Sequence, residues 1–201
     1  MNESSDQYRV RWRAIVRRVS TEMERLGTQD RHWMSTRLAE IASIQNRMQA
    51  HFLRADGREE CARCDGQCCD RGRNHFTLVN LLGYLLQGQN PPEPDFDLPC
   101  PFLEESGCRL DFARRPFACI SFVCGNIEAK MSPADRAAFY GDESRLRLLY
   151  EQFDGRYALS SSRGILIRSV RLGDEPFLVP VRKGNENVSG TGARRFQGDH
   201  P

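Results

Sequence analysis

The residues most able to do chemistry in this 201-residue chain are its eight cysteines, all of which fall between Cys61 and Cys124. They read C-x2-C-x3-C-C at Cys61, Cys64, Cys68 and Cys69, followed by Cys100, Cys108, Cys119 and Cys124. One buried thiol is a small hydrophobe, but a set confined to a third of the chain needs a collective reason. Disulfides or metal ligation would supply one.

The compartment bears on that choice, because disulfides persist in oxidising surroundings whereas the cytosol keeps thiols reduced. The N-terminus, MNESSDQYRV, has no basic n-region, apolar h-region or small-residue cleavage site. The expectation is therefore a cytoplasmic protein without a secretory signal. A chain of this length can also build an ordinary core without covalent staples. Thiolate–metal binding is the favoured reading, and disulfide or thiol-redox chemistry is the alternative.

Cys61-Ala-Arg-Cys64 is a CxxC pair, a spacing that lets a tight turn aim two sulfurs at one ion while backbone N–H groups bond the thiolates. The adjacent Cys68 and Cys69 are more restrictive. Neighbouring side chains point in different directions, so the two belong to separate centres, or to one polynuclear centre with one of them behind the first. In the second half, Glu104-Glu-Ser-Gly107 interrupts two short apolar pieces and predicts a hairpin that brings Cys100 near Cys108. Arg115-Pro116 re-aims the chain, since a pre-proline residue avoids helical dihedrals. Cys119 and Cys124 follow on a predicted helical turn. Four thiolates around one Zn²⁺ carry excess negative charge, which cationic neighbours offset. Arg63, Arg71, Arg73, Arg109, Arg114 and Arg115 are candidates for that role as a set, although each alone reads better as a solvated surface arginine.

At these residues the chain resembles the CxxCxxCC cysteine-cluster proteins, the YkgJ-type zinc- or iron-chelating domains. The resemblance is carried by Cys61-x2-Cys64-x3-Cys68-Cys69, Cys100-Pro-Phe-Leu103, Gly107-Cys108-Arg-Leu and Arg115-Pro116-x2-Cys119, and it covers about residues 61–124. Where that family has two residues before its double cysteine, this chain has three, Asp65-Gly66-Gln67. In that detail it is more similar to the flagellin lysine N-methylases, whose cysteine cluster is thought to hold an iron–sulfur centre. The resemblance implies metal as the partner, with zinc or an iron–sulfur cluster as the cofactor. By analogy it also offers an iron–sulfur-dependent protein-modifying enzyme as an alternative.

The elements that must position these cysteines are mainly helical. Residues 6–27 show Trp12, Ile15, Val16, Val19, Met23 and Leu26 at three- and four-residue intervals, and residues 31–54 show Met34, Leu38, Ile41, Ile44, Met48 and Phe52. The short connection predicts an antiparallel pair. Thr77 is placed to cap an apolar helix bearing Leu78, Leu81, Leu82, Leu85 and Leu86, the expected floor of the metal site. Ser132 followed by Pro133 marks another helix start. Gly141 is expected to interrupt that helix before a longer one over 143–157 with Leu146, Leu149, Tyr150, Phe153 and Tyr157 on one stripe. Residues 164–182 change period and read as a β-hairpin with Gly173 in its turn. The fold class is thus mainly α with a small β component: one domain over 1–183, comprising a helical pair at 6–54, a cysteine core at 56–130, helices at 131–160 and the C-terminal hairpin. A disordered tail is expected over 184–201.

Among the histidines, His75 lies six residues after Cys69 and is the best candidate ligand, with a role behind the ligands the plainer reading. His32, His51 and His200 have no such claim. A net charge of +2 is no footprint of a dedicated nucleic-acid binder, and the arginine row Arg9, Arg11, Arg13, Arg17 and Arg18 reads as a solvated helix face. No run approaches the ~18 apolar residues of a membrane span. There is no Walker loop, dinucleotide turn, nucleophile elbow or HExxH motif, so no substrate is declared.

Overall fold

The computed structural model describes residues 3–63, 72–104 and 107–181. Within them the chain is mainly helical, with one small antiparallel strand pair. Helix α1 spans Ser5–Glu24, and α2 spans Thr28–Arg54. Ser4 caps α1 by accepting the Gln7 N–H, while the Gln7 side chain bonds back to the Ser4 N–H at 2.8 Å, a reciprocal arrangement that satisfies two orphan donors. Trp12, Ile15, Val19 and Met23 are the buried face of α1, and Met34, Ile41, Ile44 and Met48 that of α2.

These two faces find different partners. Helix α2 packs chiefly against α7 (Pro133–Arg156), and α1 packs against α8 (Ile165–Leu172). A short connection fixes proximity in sequence, but apolar stripes choose their own neighbours, so the expected α1–α2 pair is not the principal packing. Trp12 of α1 instead lies edge-on to Phe76 and Phe102, at ring separations of 5.1 and 5.8 Å. Those two aromatics sit one residue after His75 and two after Cys100. Much of the site's support is therefore this aromatic cluster.

Helix α3 (Gly57–Arg63) carries Cys61, and α4 (Leu78–Leu85) follows the cysteine-rich segment. At the start of α4 the Asn80 carboxamide oxygen accepts both the Thr77 N–H at 2.9 Å and the Thr77 hydroxyl at 2.7 Å. Leu78, Leu81 and Leu82 are fully buried. Strands β1 (Leu103–Glu104) and β2 (Gly107–Cys108) pair with Leu103 opposite Cys108, the hairpin predicted from the turn between them. Helices α5 (Phe117–Ser121) and α6 (Gly125–Glu128) follow and carry Cys119 and, as the N-cap of α6, Cys124.

Two further expectations are corrected. Gly141 does not divide α7, which runs unbroken from Pro133 to Arg156; one interior glycine costs only about 1 kcal/mol, less than the packing of Phe139, Leu146 and Phe153 supplies. Among the described residues, 164–181 do not form the hairpin expected over 164–182. Their first half is the helix α8, whose buried positions Ile165, Leu166 and Arg168 keep Ile167 and Val170 exposed. In the second half the Leu178 N–H donates to the Glu22 carboxylate at 2.8 Å and the Val181 N–H to the Arg156 carbonyl at 2.7 Å, so no strand partner is used. A β-branched, apolar octet is ambiguous by composition, and tertiary burial decides it. Gly173 does turn the chain, with φ +54° as the cap of α8. The expected tail over 184–201 lies outside the described residues.

A polar clasp joins the end of α2 to the start of α7. Asp135 receives Arg54 at 2.5 and 3.2 Å, lies 2.7 Å from His51 Nδ1 and accepts the Ser132 hydroxyl at 2.9 Å. Arg54 foremost, then His51 and Ser132, hold the Asp135 carboxyl well below the usual carboxylate range. A lowered folded-state pKa gives stability that is present at neutral pH and is lost as pH falls through the acid range. The Asp135→Asn variant is accordingly expected to melt below wild type at pH 7, with the difference closing below about pH 4. Paired thermal melts across that range measure it, and a gap that stays constant with pH contradicts it.

Candidate cysteine centre

The five described cysteines come from five separate parts of the chain. Cys61 is half-buried on α3, Cys100 is buried after the long connection, and Cys108 is half-buried in β2. Cys119 is exposed on α5, and Cys124 is half-buried as the N-cap of α6. No disulfide joins two of these five. Cys64, Cys68 and Cys69 lie outside the described residues.

Three juxtapositions link these elements. Gly72, three residues beyond Cys69, sits directly on Cys100: a Cβ at Gly72 would lie 2.5 Å from the Cys100 Sγ. His75 follows in the same turn, its N–H bonded to the Gly72 carbonyl at 3.1 Å, and its Nδ1 stands 3.3 Å from the Cys119 Sγ. Helix α3 packs against α6, and Lys130 clasps the two by binding Glu60 at 2.7 Å and Asp56 at 3.2 Å. Cys61 and Cys124 thus belong to a packed pair of helices.

Cys119 is positioned from both sides. Its N–H donates to the Pro116 carbonyl at 2.9 Å, the first bond of α5, and the ring of Phe117, two residues before it, lies 5.4 Å from Tyr150. Tyr150, Gln45 and Asn80 form a buried polar group behind it. The Gln45 amide donates to the Arg115 carbonyl at 2.8 Å and Asn80 to the Arg114 carbonyl at 3.1 Å, which anchors the segment leading into α5. Burial pushes the Tyr150 phenol above its ordinary pKa; Asn80 and Gln45 pull it back, and Cys119 adds to the rise. This group also lines a cavity of about 170 Å³ between α2 and α4. Sequence reasoning passed over it. The available signal was a polar residue in core register: Gln45 between Ile41 and Met48, and Asn80 inside a leucine-rich helix.

Burial lowers the pKa of His75, which favours its neutral imidazole. His51 is engaged by Asp135 instead, and His32 is exposed. The arginines near the cysteines have other occupations. Arg63 pairs with Glu60 at 2.5 Å, Arg73 bonds the Phe96 carbonyl at 3.2 Å and Arg109 the Glu93 carbonyl at 3.0 Å. Arg114 holds Asp111 at 3.1 Å and covers the Tyr84 ring, and Arg115 reaches the carbonyls of Leu110 and Cys108 at 3.2 and 3.5 Å. Arg71 lies outside the described residues. Four arginines of the α1 row are likewise committed within the chain: Arg9 to Asp6 and Asp97, Arg11 to Glu3, Arg13 to Glu93 and Arg18 to the carbonyls of Gly173 and Glu175.

Among the described residues, no three His, Cys, Asp or Glu side chains stand together as a group that could hold a metal ion. No helix among them is long and apolar enough to cross a membrane. The chain matches no protein-family model, no curated protein and no solved structure.

Proposed function

We propose that the chain is a cytoplasmic, cysteine-cluster metal-binding protein in which Cys61, Cys64, Cys68, Cys69, Cys100, Cys108, Cys119 and Cys124 supply thiolates to zinc or iron. The observation that carries this reading is the seating of Gly72 on Cys100. The chain returning from the double cysteine meets, without a side chain in between, a cysteine some thirty residues further on. This close packing brings the chain that follows Cys69 to Cys100, as thiolates gathered on one inorganic centre require.

The donor set fits the group. Thiolates are soft ligands preferred by zinc and iron–sulfur centres. Sulfur from the five described cysteines, together with Cys64, Cys68 and Cys69, exceeds what one tetrahedral ion takes. Two adjacent cysteines suit a polynuclear centre better than a mononuclear one, so an iron–sulfur cluster is favoured over zinc. Such a centre supplies structural cross-linking, metal handling or one-electron transfer when bound. The protein's part is to hold the thiolates, to back Cys119 with the Tyr150, Gln45 and Asn80 group and to keep solvent from Cys100.

Thiol counting tests the reading against a disulfide protein. Chain denatured with a chelator and no reductant, then alkylated, is expected to show eight modified cysteines. Four cystines would remove the proposal.

A further inference from the structure

We propose that His75 is a positioning residue of the metal centre, donating Nδ1–H to the Cys119 thiolate. This rests on the metal-binding reading above. Among the described residues, His75 is the histidine brought to a cysteine, and it is brought there by rigid parts.

On its own side the turn Gly72–Asn74 is pinned at both ends. Gly72 abuts Cys100, and just past His75 the Phe76 carbonyl accepts the Ile165 N–H at 2.7 Å while Thr77 bridges to Gly164. On the other side Cys119 is fixed by the Pro116 cap and by Phe117 against Tyr150. Neither partner is carried on a loop tip, which is the condition for a preformed contact.

At 3.3 Å the His75 Nδ1 and Cys119 Sγ are within range of an N–H···S hydrogen bond. With the proton on Nδ1, the bond spreads the thiolate's charge, fixes its lone pairs and protects an otherwise exposed sulfur.

The test uses protein purified anaerobically with its own metal and follows release of that metal to excess EDTA. Loss of a partner behind a ligand costs about 10–100-fold in metal retention. His75→Leu and His75→Ala are therefore expected to release metal faster by that factor. His75→Asn, whose amide N–H stands where Nδ1–H stood, is expected to restore most of the wild-type rate, which mere filling of space cannot do. Release from His75→Leu at the wild-type rate overturns the proposal, and so does an Asn variant as fast as the Leu one. Wild-type protein that carries no metal overturns the centre itself, a different failure from metal indifferent to position 75.

Discussion

Gly164→Ala is expected to destabilise the protein by about 3 kcal/mol or more, beyond the usual cost of overpacking. A Cβ there would fall 2.2 Å from the Asn74 carbonyl oxygen, 2.8 Å from its carbon and 3.0 Å from its Cα. All three are backbone atoms, so no rotamer relieves the contact. The bridge between Thr77 and Gly164 and the bond from Ile165 N–H to the Phe76 carbonyl would have to open. Opening them frees the start of α8 from the segment that carries His75. In urea titrations the midpoint should drop with an unchanged slope, and a variant as stable as wild type would mean that these backbones do not touch.

Gly72→Ala is expected to cost about 1–3 kcal/mol and, more tellingly, to deplete bound metal. The new methyl would meet the Cys100 Sγ at 2.5 Å, its Cβ at 2.7 Å and its Cα at 3.2 Å. The sulfur could swing aside but the Cβ could not, and swinging aside takes the thiolate from its place. The proposed centre therefore predicts metal loss in chains that remain folded by circular dichroism. Gly83→Ala is the comparison, since its Cβ would meet only the Arg114 side chain at an ordinary 3.8 Å. Full metal content in the Gly72→Ala variant would place Cys100 outside the centre.

Much of the helical frame was legible because its signals were local and repeated. The stripes of α1 and α2 were legible from periodicity, and the Ser132–Pro133 and Thr77 starts from their residue types; the structure forms all four helices. The Leu103–Cys108 hairpin was legible from the turn alone. What escaped depends on contacts distant in sequence. Arg168 is an example: in α8 it is buried, with Nε bonded to the Ala158 carbonyl and Nη2 to the Phe177 carbonyl, both at 2.9 Å. An arginine in a β-branched run gives no hint of such partners, so the run reads as a strand. The choice of α7 over α1 as the neighbour of α2 is of the same kind. For the site, spacing singled out the eight cysteines and His75. The Gly72 seat and the Tyr150, Gln45 and Asn80 group behind Cys119 arise only once helices from three parts of the chain converge.

The most direct test is elemental. Protein purified under strict anaerobiosis should contain stoichiometric metal per chain, and in the favoured form iron with matching acid-labile sulfide and a brown colour. Colourless protein with stoichiometric zinc keeps the centre and changes its occupant. Protein that holds neither zinc nor iron, with all eight thiols free, contradicts the account.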